Sequence, residues 1–255
     1  MAKRFKINGK NLTKLNMTDS TYKKSFGLFL RRTNEKSIIE KFIMENIKFN
    51  KKTSFLDIGA GDGFLTSRIS KKVKSTLVIE PNQSFHKLLL KQKGIRILNK
   101  TWEETNLNES FDFILVAYVI TYFPKTKRKQ LIKKIYNMLN RGGSILILSI
   151  DAKKGSWRKI HTYFYKLIKH DHCSSDDELK QIIQEYRVVS KSFKTQVISK
   201  DSDEMLKILG FDFYKYPADF FKFSSHLKKF MQKYSDTSGS VILEMVHNAY
   251  IITKK

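Results

Sequence analysis

The sequence predicts an α/β fold in which a parallel sheet carries helices on its faces, and three observations predict it. Apolar runs of strand length alternate with segments of helical periodicity from about residue 53 to residue 150, as strands joined by helical crossovers do. A glycine turn, Gly59-Ala60-Gly61-Asp62-Gly63, follows the first of these runs and opens a helical segment. A last apolar run, Val241 to Ile252, has the length and composition of a further strand.

The elements follow in order. Residues 1–17 are polar and basic and are expected to form a flexible N-terminus. From Asp19 or Ser20 a helix is expected, because Tyr22, Phe26 and Phe29 recur at three- and four-residue spacing. A second helix runs through Ile38, Ile39, Phe42 and Ile43. Strands are predicted near 53–59, 75–80, 95–99, 111–118 and 143–150, with helices near 63–72, 83–93 and 126–140 between them. Gly142-Gly143 reads as the left-handed cap that ends the last of these helices at Leu139-Asn140. Beyond Asp151 the pattern changes. Trp157 to Lys169 is helical and aromatic, and Ser174-Ser175 precedes Asp176-Asp177-Glu178, acids that suit a helix N-terminus. Residues 188–199 alternate as a strand does, 201–210 form a short helix ending at Gly210, and 218–233 are helical.

Composition sets the outer limits. A chain of 255 residues can hold one α/β domain with an added helical part. No run of eighteen apolar residues exists to span a membrane, and Met1-Ala2-Lys3-Arg4-Phe5-Lys6 has no apolar core behind it, so a secretory signal is not expected. The single cysteine, Cys173, cannot form an internal disulfide, which fits a cytoplasmic protein. The histidines at 86, 161, 170, 172, 226 and 247 show no metal-ligand spacing, and no metal is expected. Forty-nine basic against 24 acidic residues give a net charge of +25. Such an excess is the electrostatic footprint of nucleic-acid binders. Yet only nine of these residues are arginine, and the basic residues run from Lys3 to Lys255 without clustering, as solvated faces or compositional drift would produce. Both readings of the charge stay open here.

The glycine turn narrows the ligand. Glycines at 59, 61 and 63 allow a sharp turn and close approach of a ligand to the backbone. A dinucleotide fingerprint would need its third glycine at Phe64, and Asp62 would put a carboxylate where a diphosphate lies, so NAD and FAD are disfavoured. No Gly-Lys-Ser/Thr follows, which excludes a P-loop. Glu80 closes the second strand about twenty residues on, where a carboxylate can accept both hydroxyls of a ribose.

These residues, Asp57 to Gly63 with Glu80, resemble motif I and the acidic second-strand end of class I S-adenosylmethionine (SAM) methyltransferases. The resemblance implies a Rossmann-like, seven-stranded sheet with helices on both faces, an antiparallel hairpin at its end, an N-terminal helical lid and a helical insertion after the fifth strand. It implies SAM as cofactor, lying over Gly59 and Gly61, with Asp57 holding the aminoacyl end through water or main chain. Glu80 would take the ribose, and Trp102, Thr105 and Ala117 would lie near the rest of the nucleoside. Residues 18–255 would then be one domain: a lid at 18–50, a SAM-binding half at 51–150 and a substrate-side half at 151–255.

A narrower likeness concerns the acceptor. Tyr22-Lys23-Lys24-Ser25-Phe26-Gly27-Leu28-Phe29-Leu30, then Thr33-Asn34-Glu35, is similar to the aromatic opening helix and substrate glutamate of the histamine N-methyltransferase family. Glu80-Pro81, Trp102-Glu103-Glu104-Thr105, Phe111-Asp112-Phe113-Ile114 with Tyr122, Gly155-Ser156-Trp157 and Ser175-Asp176-Asp177 extend it thinly along the chain. This implies methylation of a nitrogen on a small amine or imidazole, with the enzyme expected to be a monomer. Tyr22, Phe26 and Trp157 would wall the acceptor, Glu35 would accept its N–H, and Tyr118 and Tyr122 would stand with Glu35 at the reacting methyl. The sequence departs from that family at Tyr118, where an amide is usual, at His161, where a second tryptophan is usual, and at Asn248, which supplies the last-strand amide only with a shifted register. His161 and His172 are further candidates for lining the acceptor site.

The alternative acceptor is RNA, favoured by the charge. Enzymes that methylate exocyclic adenine nitrogens carry Asn-x-Pro-Tyr/Phe at the end of the fourth strand, where this chain reads Val116-Ala117-Tyr118-Val119. A third reading is a SAM-binding subunit without turnover that supports a partner.

Overall fold

The seven strands are β1 (Ser54–Ile58), β2 (Ser75–Ile79), β3 (Ile95–Leu98), β4 (Phe111–Ala117), β5 (Leu139–Ile150), β6 (Val188–Ser199) and β7 (Val241–Thr253). They form one sheet in the order β3-β2-β1-β4-β5-β7-β6. The first five are parallel to one another, and β7 runs antiparallel to both β5 and β6. The computed structural model describes residues 20–170 and 175–255. The basic segment 1–17, His172 and Cys173 lie outside the described residues.

Helices cover both faces, as the near-continuous apolar character of the strands requires. Successive strand residues point to opposite faces, so Leu56, Ile58, Ile114, Val116, Ile145 and Ile147 pack one way. There they meet α5 (Arg128–Asn137) and α7 (Ser175–Ile183) through Leu131, Ile135, Leu179 and Ile183. Phe55, Phe113, Leu115, Leu146 and Leu148 point the other way, onto α2 (Glu35–Asn46) and α3 (Phe64–Ser70). The crossover between β2 and β3 is α4 (Gln83–Leu89), whose Asn82 cap accepts from the backbone N–H groups of Ser84 and Phe85.

The third cluster stands beyond the end of the sheet. It joins α1 (Ser20–Arg32), α6 (Ser156–Leu167), α8 (Ser202–Leu209) and α10 (Ser224–Met231) to the first half of β7. The helical pattern expected over 218–233 is split at Phe223 into α9 (Pro217–Lys222) and α10.

One boundary needs correction. The helix before the fifth strand stops at Asn137, and Gly142 does not cap it. Gly142 lies inside β5 with φ of +76°, where the register slips: Phe111 pairs with Leu139 but Phe113 pairs with Ser144. A glycine at positive φ serves a strand irregularity as readily as a helix end, so the dipeptide alone does not distinguish them.

Candidate active site

The chain leaves β1 toward β2 and β3 on one side and returns through β4 and β5 on the other. The carboxyl ends of β1 and β4 therefore part, and ligands of open α/β sheets bind in such a crevice. A cavity of about 740 Å³ lies there, lined at its base by Ile58, Gly59, Ala117 and Tyr118. That size falls within the range of small-molecule sites.

The glycine turn forms one wall. Gly59 has φ of +76°, and a Cβ on it would come within 2.5 Å of Val119 Cγ2, so its lack of a side chain is a packing requirement. Gly61 has φ of +58°, and a Cβ there would meet no protein atom within 4 Å. Glu80 ties this turn to the next strand: its Oε2 accepts from Gly61 N–H and its Oε1 from Asn82 N–H, both at 2.8 Å. Two backbone bonds hold the carboxylate at the rim, and each oxygen keeps a lone pair for a ribose hydroxyl. Burial raises the Glu80 carboxyl, while those two N–H groups pull it back. The open face over Gly61 and the oriented Glu80 fit the nucleoside and aminoacyl parts of SAM.

Two expected cofactor residues stand behind this wall. Asp57 does not line the cavity. It is 2% exposed and accepts a 2.6 Å hydrogen bond from Thr66 Oγ1, bracing β1 against α3. Burial pushes its carboxyl up to about 7, against the Thr66 bond and with help from the charge of Glu80. Thr105 is also withdrawn, its hydroxyl donating to Thr101 O at 2.7 Å. Trp102 does line the cavity, as do Thr101 and Asn99, although its Nε1 is committed to Leu131 O.

The opposite wall comes from the N-terminal helices and from the segments after β5 and β6. Tyr22, Phe26 and Phe29 of α1, Trp157 of α6 and Phe211 after α8 all line it. Their rings form one cluster, with Tyr22–Phe26 centroids 6.0 Å apart and Phe29–Trp157 centroids 5.8 Å apart. Tyr122 joins the lining at the rim, 52% exposed. The turn between α1 and α2 is pinned to β6, since Asn34 N–H donates to Gln196 O and Gln196 N–H donates to Asn34 Oδ1. Lys36 pairs with Asp62 of the glycine turn and stands 5.1 Å from the Phe64 ring centroid, closing α2 over that turn.

Glu35, the first residue of α2, faces the cavity with its side chain 14% exposed. Its carboxyl takes no hydrogen bond among the described residues. Burial raises it to about 7, with Lys36 lowering and the charge of Asp212 raising it. Tyr118 also lines the cavity, at a left-handed φ of 61°, but its hydroxyl is bonded to His247 Nδ1 at 2.7 Å. His247 is fully buried, bonded at Nε2 to Thr195 Oγ1, and lowered to about 4 by burial, so it is neutral beneath Glu35.

Asn248 does not reach the cavity. Its amide donates to Asp151 Oδ2 and Asp176 Oδ2 at 3.0 and 2.9 Å, completing a polar cluster around α7. His161 is likewise absent from the lining and sits behind Asp212, 2.7 Å from its Oδ2 without hydrogen-bond geometry. Asp212 itself escaped the sequence reading although it lines the cavity and accepts from Trp157 Nε1 at 3.0 Å. Its only local signal is an acid between two phenylalanines, Phe211 and Phe213, just past a helix end. Lys36 and Val119 were missed for a similar reason, since no spacing marks either.

Comparison with known proteins agrees with this geometry. A family described as a methyltransferase domain matches residues 30–186. A protein of Mycoplasmopsis synoviae (strain 53) named ribosomal RNA small subunit methyltransferase A is 26% identical over 209 residues, covering 76% of this chain and 78% of that protein. The YcgJ protein from Bacillus subtilis superposes with a TM-score of 0.60 at 15% identity, over 86% of this chain and 99% of its own. The N-methyltransferase NodS from Bradyrhizobium japonicum WM9, in complex with S-adenosyl-l-homocysteine (SAH), gives 0.52 at 13% identity, over 91% and 100%. At such identities the two structures speak for the fold alone. Because the family match spans more than half of the chain, and the whole chain forms a sheet of this order, the chain belongs to the methyltransferase-domain family, as a class I enzyme with S-adenosylmethionine as its methyl donor.

Proposed function

We propose that the enzyme methylates a nitrogen of a small molecule, of amine or imidazole type, seated between the aromatic wall and the cofactor turn. The observation that carries this reading is Glu35: an enclosed carboxyl at a ring-lined cavity, with no protein hydrogen bond among the described residues. A carboxyl facing a cavity with no protein donor is complemented by a ligand N–H that displaces water from it. SAM, when bound, supplies an electrophilic methyl carbon to an aligned nitrogen lone pair. The residues present then orient the acceptor and exclude water, which is where most of the rate advantage of such a displacement arises. Glu35 fixes the N–H, and its carboxyl, raised to about 7, is poised to take a proton near neutrality. Tyr22, Phe26, Tyr122 and Trp157 offer ring faces to a cationic or partly cationic group. Tyr118, with its hydroxyl held by His247, acts as a wall and a support.

An RNA acceptor is the second reading, favoured by the +25 charge and by the similarity to an rRNA methyltransferase. One experiment separates them. Amines, imidazoles and bulk RNA are screened for SAM-dependent methylation across a salt series, with wild type and Glu35→Gln. The small-molecule reading expects turnover on an amine or imidazole that Glu35→Gln cuts while SAH affinity is kept. Activity confined to RNA, falling by orders of magnitude from about 50 to about 200 mM salt and indifferent to Glu35, would overturn it.

A further inference from the structure

We infer that Asp212 is a second anchoring group for the acceptor, so that the molecule methylated here carries two basic nitrogens, one oriented by Glu35 and one held as a cation at Asp212. The inference rests on the small-molecule reading above and sharpens its substrate class.

Asp212 is placed by its neighbours. Phe211 turns into the cavity wall against Phe29 and Trp157, with ring centroids 4.9 and 6.1 Å away. Phe213 is fully enclosed in the helical cluster, 4.3 Å from Phe164 and 4.7 Å from His161. Between these two anchors the carboxylate is held in one place. Its Oδ2 is used by Trp157 Nε1 and faces His161 Nε2. Its Oδ1 has no partner among the described residues, while the side chain is 29% exposed and the residue lines the cavity. An acceptor atom free on an aromatic wall is a place for a ligand donor.

The local charge has the sign a cation needs. Burial alone would raise the Asp212 carboxyl, but His161, Trp157 and Arg158 together hold it below the usual carboxylate range, so it carries its negative charge at neutral pH. Burial is the main cause of the raised Tyr22, Tyr122 and Glu35, and the charge of Asp212 adds to each. Arg158 and His161 offset part of that charge, but the guanidinium is also shared with Asp176 and Asp151 and donates its Nε–H to Asp151 O. The rings of Tyr22, Tyr122, Trp157 and Phe211 line the same wall, and cations are attracted to such faces.

Two carboxylates in one cavity also discriminate. A ligand with a single basic nitrogen would pair with one of them and leave the other dehydrated and unpaired, and sites built this way reject the analogue that lacks the second donor. This local arrangement works against the +25 charge of the whole chain, which repels cations at long range.

The test uses the full chain saturated with SAH. Calorimetry compares short α,ω-diamines with n-alkylamines of the same length, and a parallel assay follows methyl transfer from SAM to the same compounds. Wild type is expected to bind the best diamine about 10- to 100-fold more tightly than its monoamine, the scale of one charge-assisted hydrogen bond. Asp212→Asn is expected to bring the diamine down to monoamine affinity, and SAH binding by the variant reports that it is folded. Should the variant fail to fold, the wild-type comparison decides alone. Equal affinity of diamine and monoamine for wild type, or a diamine preference that survives in Asp212→Asn, overturns the inference and leaves the small-molecule reading standing. Absence of binding and methylation with every amine overturns the inference, and the same absence with imidazoles as well overturns the reading it rests on.

Discussion

We propose that Glu80 is the side chain on which cofactor affinity depends most directly, because one carboxylate both holds the turn and faces the rim. It holds Gly61 and Asn82 by their N–H groups and presents its remaining lone pairs at the cavity rim. Glu80→Ala should weaken SAH binding by about 1.5–3 kcal/mol, the range for a lost hydrogen bond to a charged group. Calorimetry on the folded variant checks this, and unchanged affinity would remove Glu80 from the site. Glu35 and Asp57 make a separate, pH-dependent prediction. Both are raised to about 7 by burial, from 4.5 and 3.8 respectively. Between roughly pH 4 and 7 the folded protein therefore binds more protons than the unfolded chain. Stability without cofactor is full below that window, falls as pH rises through it, and levels off above. Glu35 alone accounts for at most on the order of 3 kcal/mol of the fall. Thermal melts at pH 5 and pH 8 should show a smaller difference in Glu35→Gln than in wild type. An equal difference would mean that water in the cavity solvates the carboxylate fully.

At the scale of elements, the site depends on how the added helices meet the sheet. The turn before α6 is the tightest such joint: Gly155 has φ of +87°, and a Cβ on it would stand 2.7 Å from Glu244 O and 3.2 Å from Val246 N. Both are backbone atoms of β7, so neither can swing away. Ser156 Oγ then accepts from Glu244 N–H at 2.6 Å, and Trp157 one residue later enters the cavity wall. Gly155→Ala should cost about 1–3 kcal/mol in urea unfolding, the sum of a disallowed φ and a backbone clash. It should also displace Trp157, visible as a change in tryptophan fluorescence. A neutral substitution would show that α6 can shift without loss. The N-terminal helices are held differently, by polar links at their junction: Arg32 to Glu204 of α8 at 2.8 Å, Asn34 to Gln196 of β6, and Lys36 to Asp62.

For the whole molecule the governing quantity is charge. Forty-nine basic against 24 acidic residues repel one another in the folded state more closely than in the unfolded one. The exposed ion pairs that the fold does form, such as Lys129–Glu185 and Lys41–Glu45, contribute little each. Raising monovalent salt from about 10 to about 200 mM shortens the screening length from roughly 30 Å to below 10 Å and should raise the melting temperature. A falling melting temperature would mean that paired charges outweigh the net repulsion. None of the described helices is long and apolar enough to cross a membrane, and the buried apolar side chains fall into three clusters.

The sequence by itself determined what depends on neighbours along the chain. Strand and helix alternation, the turn at Gly59 to Gly63 and the acid at the end of the second strand are all set by periodicity, φ requirements and a fixed offset, and each stands where the residues predict it. Even there, Gly142-Gly143 misled, because positive φ serves a bulge and a cap alike. What only the tertiary structure decided is which polar groups are left over once folding has satisfied the rest. Asn248 and Thr105 look available in the sequence, yet they find partners at Asp151, Asp176 and Thr101. Tyr118 spends its hydroxyl on His247, 129 residues away. Asp57 turns inward to Thr66. Glu35 and Asp212, 177 positions apart along the chain, both line one cavity, the Glu35 carboxyl and Asp212 Oδ1 without a hydrogen-bond partner among the described residues. A hydrogen bond between distant segments leaves no trace in local pattern, and a site is made of the groups such bonds did not consume.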